Sequence, residues 1–116
     1  VTSGGSGLPE PHPALRTPFS KLVGVRYPVV QTGMGWVAGP RLVAATASAG
    51  GLGLLASATM TLPELERALV EVRDRTDLPF GVNLRTDSAD VADRVGLMID
   101  AGARVASFAQ APNPDL

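Results

Sequence analysis

The residues best placed for chemistry form a short glycine-rich run, Gln31-Thr-Gly-Met-Gly-Trp36. Gly33 and Gly35 lack a Cβ, so the backbone there can approach a flat ligand closely. Met34 is flexible and polarizable enough to lie against an aromatic ring system. By residue type alone, the run serves equally well as a flexible turn with Trp36 covering a rim. A second polar group, Asn83, sits near the end of the apolar run Phe80-Gly-Val-Asn-Leu84. Its carboxamide offers two donors and an acceptor, which suits the edge of a heterocycle. Asparagine also forms turns by bonding its own backbone, and by residue type alone that is the better reading. Ser107 and Gln110, in Ser107-Phe-Ala-Gln-Ala-Pro112, are expected to face one pocket. No base lies nearby to activate Ser107, so nothing points to a serine nucleophile.

Other polar clusters carry less. Ala49-Gly-Gly-Leu-Gly53 resembles a phosphate-binding loop, but such loops follow a strand and open a helix. This run follows a helix and opens a strand, the ordinary place for a left-handed helix cap. His12, the only histidine, lies among prolines in the expected tail and is read as incidental rather than catalytic. Asp87, Asp90, Asp93 and Asp100 are spaced as a cap and a solvated helix face, and no metal site is expected. Glu64, Glu66 and Glu71 alternate with Arg67, Arg73 and Arg75 in a solvent-facing pattern. Cysteine is absent, which excludes disulfides, thiolate metal sites and a cysteine nucleophile.

These residues must be positioned by regular elements, and the composition supports a packed core. Of the 116 residues, 45% are hydrophobic and 18% charged, with a net charge of -1. Such a balance gives no electrostatic reason to expect a nucleic acid or membrane partner. No apolar run reaches the length of a membrane span, and a cytoplasmic setting is expected. Residues 1–16, rich in Gly and Pro up to Pro13, are expected to form a disordered tail. From Thr17 onward the pattern is periodic.

Tyr27–Gln31 reads as a strand, and Gly39-Pro40 opens a helix that runs to Ala49. Leu52–Ala56 is a second strand. Thr61-Leu-Pro-Glu64 is a capping box, followed by Leu62, Leu65, Leu69 and Val72 at helical spacing. Phe80–Leu84 is a third strand. Asp87 is expected to cap a third helix with the stripe Val91, Val95, Met98 and Ile99. Arg104–Phe108 is a fourth strand. Strand starts near residues 28, 52, 79 and 104 mark one repeating β-α unit. Each crossover implies parallel pairing. Two architectures fit: an open doubly wound sheet, or part of a closed (β/α)8 TIM barrel. A barrel needs about 250 residues, so residues 17–116 would make its N-terminal half, about four β-α units. Asn113-Pro-Asp-Leu116 stops before any fourth helix, which is read as a truncation.

Four segments in order carry a resemblance: Tyr27-Pro-Val-Val-Gln-Thr-Gly-Met-Gly35, Ala49-Gly-Gly-Leu-Gly-Leu-Leu55, Met60-Thr-Leu-Pro-Glu-Leu65 and Pro79-Phe-Gly-Val-Asn-Leu84. Together they resemble the N-terminal half of the nitronate monooxygenase (2-nitropropane dioxygenase) family. The resemblance implies an FMN-binding (β/α)8 barrel and a flavin-dependent oxidoreductase. It implies that Thr32, Gly33 and Met34 line the flavin and that Asn83 hydrogen-bonds the flavin or its ribityl chain. The family's catalytic histidine and phosphate loops belong to later strands, so no catalytic residue is assigned here. Gly33 departs from the proline usual in nitronate-oxidising members. The Thr-Gly-Met-Gly-Trp form resembles a subgroup linked with actinobacterial steroid-ring breakdown. The implied substrate is a small organic acid or a coenzyme A thioester. Taken alone, the chain is expected to be inactive and to self-associate through open strand edges. The alternative is a non-catalytic α/β interaction module.

Overall fold

A computed structural model describes residues 9–116. Residues 1–8 of the expected tail lie outside the described residues. The rest of that stretch carries one 3-10 turn, Pro13–Leu15, where His12 Nδ1 accepts from the Ala14 amide at 3.1 Å. A helix absent from the sequence reading follows, α1 (Pro18–Val23). It is too short to show a periodic stripe, but its start signal is plain. Thr17 Oγ1 accepts from the Ser20 amide at 3.1 Å, and Ser20 Oγ accepts from the Thr17 amide at 2.9 Å. The helix stops at Gly24, whose φ of 86° is the left-handed conformation glycine adopts freely.

Four strands and three further helices alternate: β1 (Val30–Gln31), α2 (Pro40–Ser48), β2 (Leu52–Ala56), α3 (Leu62–Arg75), β3 (Gly81–Leu84), α4 (Val91–Asp100) and β4 (Val105–Phe108). The strands form one parallel sheet in the order β1-β2-β3-β4. A doubly wound sheet reverses its order at a switch point. This one never does, so right-handed crossovers place the helices on one face. That winding belongs to a (β/α)8 barrel, here three successive β-α units and a fourth strand.

β1 is shorter than the expected Tyr27–Gln31. The Val29 amide donates to the Tyr27 carbonyl at 2.8 Å, folding Tyr27–Val29 into a tight turn before pairing begins. The cap of α4 also differs from expectation. Asp90, not Asp87, stands at its N-terminus. Asp87 instead makes a two-pronged pair with Arg85, at 3.0 and 2.8 Å. Within α4 the inward line includes Arg94, while Ile99 is 65% exposed.

The helix-facing core joins Leu55, Val82 and Leu84 of the sheet to Val43, Leu65, Leu69, Val72 and Met98. Phe80, wholly buried, lies under the Arg73 guanidinium at 4.4 Å. The opposite face of the sheet holds Leu52, Leu54 and Val105, closed below by Val23 of α1. Arg104 Nη1 donates to the Val23 carbonyl at 2.9 Å, tying α1 to the sheet at this end. A Cβ on Gly81 would meet Leu54 Cδ2 at 2.5 Å and the Val105 carbonyl at 2.7 Å, so only glycine fits this layer.

Candidate cofactor-binding site

The strands' C-terminal ends share one mouth, and register sets its floor. Ala56, Asn83 and Ser107 are neighbours across β2, β3 and β4. They lie one step beyond Leu54, Gly81 and Val105 on the same face, because side chains alternate along a strand. Asn83 Nδ2 donates to Ser107 Oγ at 3.3 Å and to the Ser107 carbonyl at 3.5 Å, both long contacts. Its Oδ1 accepts nothing from the described residues. The carboxamide therefore retains an acceptor and part of its donor capacity for a ligand.

The loop after β1 crosses this floor. A Cβ on Gly33 would stand 2.5 Å from Asn83 Cβ, and one on Gly35 would stand 3.0 Å from Thr59 Cγ2. Contact this close between the first loop and the third strand requires glycine at 33. Beyond the glycines the chain turns, with the Val37 and Ala38 amides donating to the Met34 carbonyl at 3.0 and 2.8 Å. Trp36 takes a φ of 61°, uncommon for a bulky residue. Thr32 is exposed, and Met34, Trp36 and Val37 show 38%, 90% and 62% of their surface. The mouth thus combines an open amide with an exposed apolar rim, a donor set and surface that fit a flat heterocycle such as a flavin.

Thr32, Gly33 and Met34 are brought to the same end as Asn83, which is distant from them in sequence. Ser107 joins them through Asn83. Gln110 does not share their pocket; it is exposed, and its Oε1 accepts from Thr86 Oγ1 at 3.4 Å. His12 is exposed on the 3-10 turn. In the run 49–53, Gly50 has a φ of 101°, a left-handed helix end. A Cβ on Gly53 would meet the Val43 carbonyl at 2.8 Å, so this glycine serves close packing against α2.

Two positions that hold the site had no sequence reading. Ser57, wholly buried, directs its hydroxyl to the Asn83 carbonyl at 2.7 Å and its amide to the same oxygen at 3.3 Å. Arg94, 8% exposed, donates to the Ser57 carbonyl at 2.6 Å and the Met60 carbonyl at 2.7 Å. It also pairs with Asp90 at 2.8 and 3.1 Å. The Arg94 guanidinium, helped by Ser88 Oγ at 2.6 Å, holds the Asp90 carboxyl down to about 2. The only sequence signal for Ser57 was a hydroxyl directly after an apolar strand.

Three parallel β-α units and a fourth strand, with a shared mouth at the strands' C-terminal ends, define a barrel-type enzyme scaffold, and residues 16–114 place this chain in the nitronate monooxygenase family. Its relatives include a (3aS,4S,5R,7aS)-5-hydroxy-7a-methyl-1-oxo-octahydro-1H-indene-4-carboxyl-CoA dehydrogenase of Mycobacterium tuberculosis. That protein is 67% identical over 102 residues, which cover 88% of this chain and 29% of the relative. A nitronate monooxygenase of Pseudomonas aeruginosa is 46% identical over 78 residues, 64% of this chain and 22% of that protein. Among solved structures, FabK of Thermotoga maritima superposes with a TM-score of 0.78 at 38% identity, covering 85% of this chain and 32% of FabK. The chain thus spans about a third or less of the length of each of these proteins.

Proposed function

We propose that the protein bearing this chain is an FMN-dependent oxidoreductase acting on a coenzyme A thioester of an alicyclic acid. The observation that carries this reading is the contact of Gly33 with Asn83, which joins the first and third strand ends into one ligand-facing surface. In this reading Gly33 and Met34 present backbone and thioether to the ring system, Thr32 adds a hydroxyl, and Asn83 bonds the ring edge or ribityl chain. FMN, when bound, supplies hydride and electron transfer, and the protein supplies orientation and electrostatics. Trp36 and Val37 shape an apolar entrance on the substrate side. Among the described residues the glycine run 49–53 gives no phosphate cradle, so the phosphate would be held elsewhere.

The thioester is preferred over a nitronate for two reasons. The Mycobacterium tuberculosis relative is the more similar of the two enzymes compared. At position 33, where nitronate-oxidising members usually carry proline, a Cβ would collide with Asn83. Loop and strand therefore lie closer here than a proline loop allows.

Anaerobic titration of the flavin-loaded protein tests the proposal. A hydroxyacyl-CoA of an alicyclic acid is expected to bleach the flavin absorbance near-stoichiometrically, and an alkyl nitronate is expected to leave it unchanged. Bleaching by the nitronate alone would replace the thioester with a nitronate. A purified protein with no affinity for FMN would end the flavin reading altogether.

A further inference from the structure

We infer that Arg94 is a positioning residue for the Asn83 site, acting through the turn Ser57–Met60. The inference rests on the proposed contact of Asn83 with flavin. The turn follows β2 and is closed by the Met60 amide donating to the Ser57 carbonyl at 3.0 Å. Its first residue, Ser57, gives two hydrogen bonds to the Asn83 carbonyl. Its third, Thr59, is the surface on which Gly35 of the β1 loop rests. Both halves of the candidate site therefore lean on this turn.

Arg94 holds the turn from outside the sheet. Its guanidinium spans the Ser57 and Met60 carbonyls while pairing with Asp90. Only a planar fork reaches two carbonyls and a carboxylate together; a lysine ammonium is a single point charge. Asp90 is committed to this task. It stands at the N-terminus of α4, yet its carboxylate makes no capping bond to its own helix and turns to Arg94 instead. A purely local helix cap would use those oxygens on the helix amides. A buried cation with a matched carboxylate and two backbone carbonyls has one arrangement that satisfies every partner. That arrangement sets where β3 ends.

The test uses FMN titration of the protein bearing this chain, well below each variant's unfolding midpoint. Arg94→Met and Ser57→Ala are expected to weaken FMN binding on the order of tenfold, the scale on which outer-shell partners act at bound groups. Val72→Ala, a core truncation on α3, controls for general destabilisation and is expected to leave FMN affinity unchanged. In an Asn83→Ala background, Arg94→Met is expected to add nothing further. Equal effects of Arg94→Met and Val72→Ala, or full additivity with Asn83→Ala, would overturn the inference. So would an Arg94→Lys variant that binds FMN as the parent does, since charge alone would then suffice. Hydrogen exchange separates this inference from the flavin reading. Arg94→Met is expected to speed exchange at the Ser57 and Met60 amides while leaving the Ser20 amide of α1 protected. If Asn83→Ala leaves FMN affinity unchanged, the flavin reading fails. Unaltered protection at Ser57 would then independently overturn the role of Arg94.

Discussion

At Gly33 one methyl group decides whether the site can form. An added Cβ would lie 2.5 Å from Asn83 Cβ and 3.0 Å from its Cγ, and neither atom is the far end of a flexible chain. Gly33→Ala must therefore push the loop off β3. Forced overpacking of this kind costs about 1–3 kcal/mol. We expect the variant to fold with a lowered unfolding midpoint and to lose at least tenfold in FMN affinity, because loop and amide no longer share one surface. Parent-like flavin affinity in Gly33→Ala would show that the contact is incidental. Asn83 sits differently: its backbone is held by Ser57, while its side chain makes only long bonds to Ser107. A rigid backbone with a free side-chain acceptor is the arrangement expected of a ligand contact.

At the scale of elements, two arginines, half-buried Arg73 and buried Arg94, clamp the helices to both ends of the sheet. Arg73 of α3 donates to the Ala101, Gly102, Thr76 and Leu78 carbonyls at 2.9–3.3 Å, fastening the C-terminal ends of α3 and α4. The sequence pattern had placed it on a solvent-facing strip. Its acceptors correct that reading, since the chain turns back over it after both helices. At the opposite end, Arg94 fastens the start of α4 to the β2 turn. This pair predicts an acid limit. The Asp90 carboxyl is held near 2, below its ordinary value of 3.8, by Arg94 and then Ser88. Its contribution to stability is therefore complete above the ordinary carboxylate range and is lost as pH falls toward about 2. Asp87, lowered by Arg85, and Glu64, lowered by the Thr61 amide, add to the same limb. Asp90→Asn should flatten the fall in unfolding midpoint between about pH 4 and pH 2. An unchanged acid limb would show that the pair contributes no net stability.

At the scale of the molecule, the sheet is open among the described residues. β1 and β4 each have only one neighbour, so one edge of each is unpaired, and such edges template association. Val29 and Val30 beside the β1 edge are 60% and 45% exposed, and Trp36, Val37 and Met34 extend the apolar surface across the mouth. Prepared as a 116-residue polypeptide, the chain is expected to self-associate and to retain little FMN. Light scattering after size exclusion reads the first expectation, and flavin absorbance reads the second. A stable monomer, or a stoichiometrically yellow preparation, would contradict them.

The repeat of β-α units, the Thr61–Glu64 capping box, β2 from Leu52 to Ala56 and the aliphatic stripe of α3 were all legible in the sequence. Each depends on neighbours in the chain and on periods of two or 3.6 residues. The family was legible for a related reason: its motifs sit in the strands and at the helix boundaries, where spacing along the chain sets position. What the tertiary structure alone decided was which strand lies beside which, the packing of Gly33 against Asn83 that leaves no room for a Cβ, and the work of Ser57, Arg73 and Arg94. These side chains bond backbone carbonyls. Every residue carries that group, so such partners leave no mark in the sequence. Whether a charged residue solvates a helix face or clamps two elements depends on which carbonyls the folded chain brings within reach.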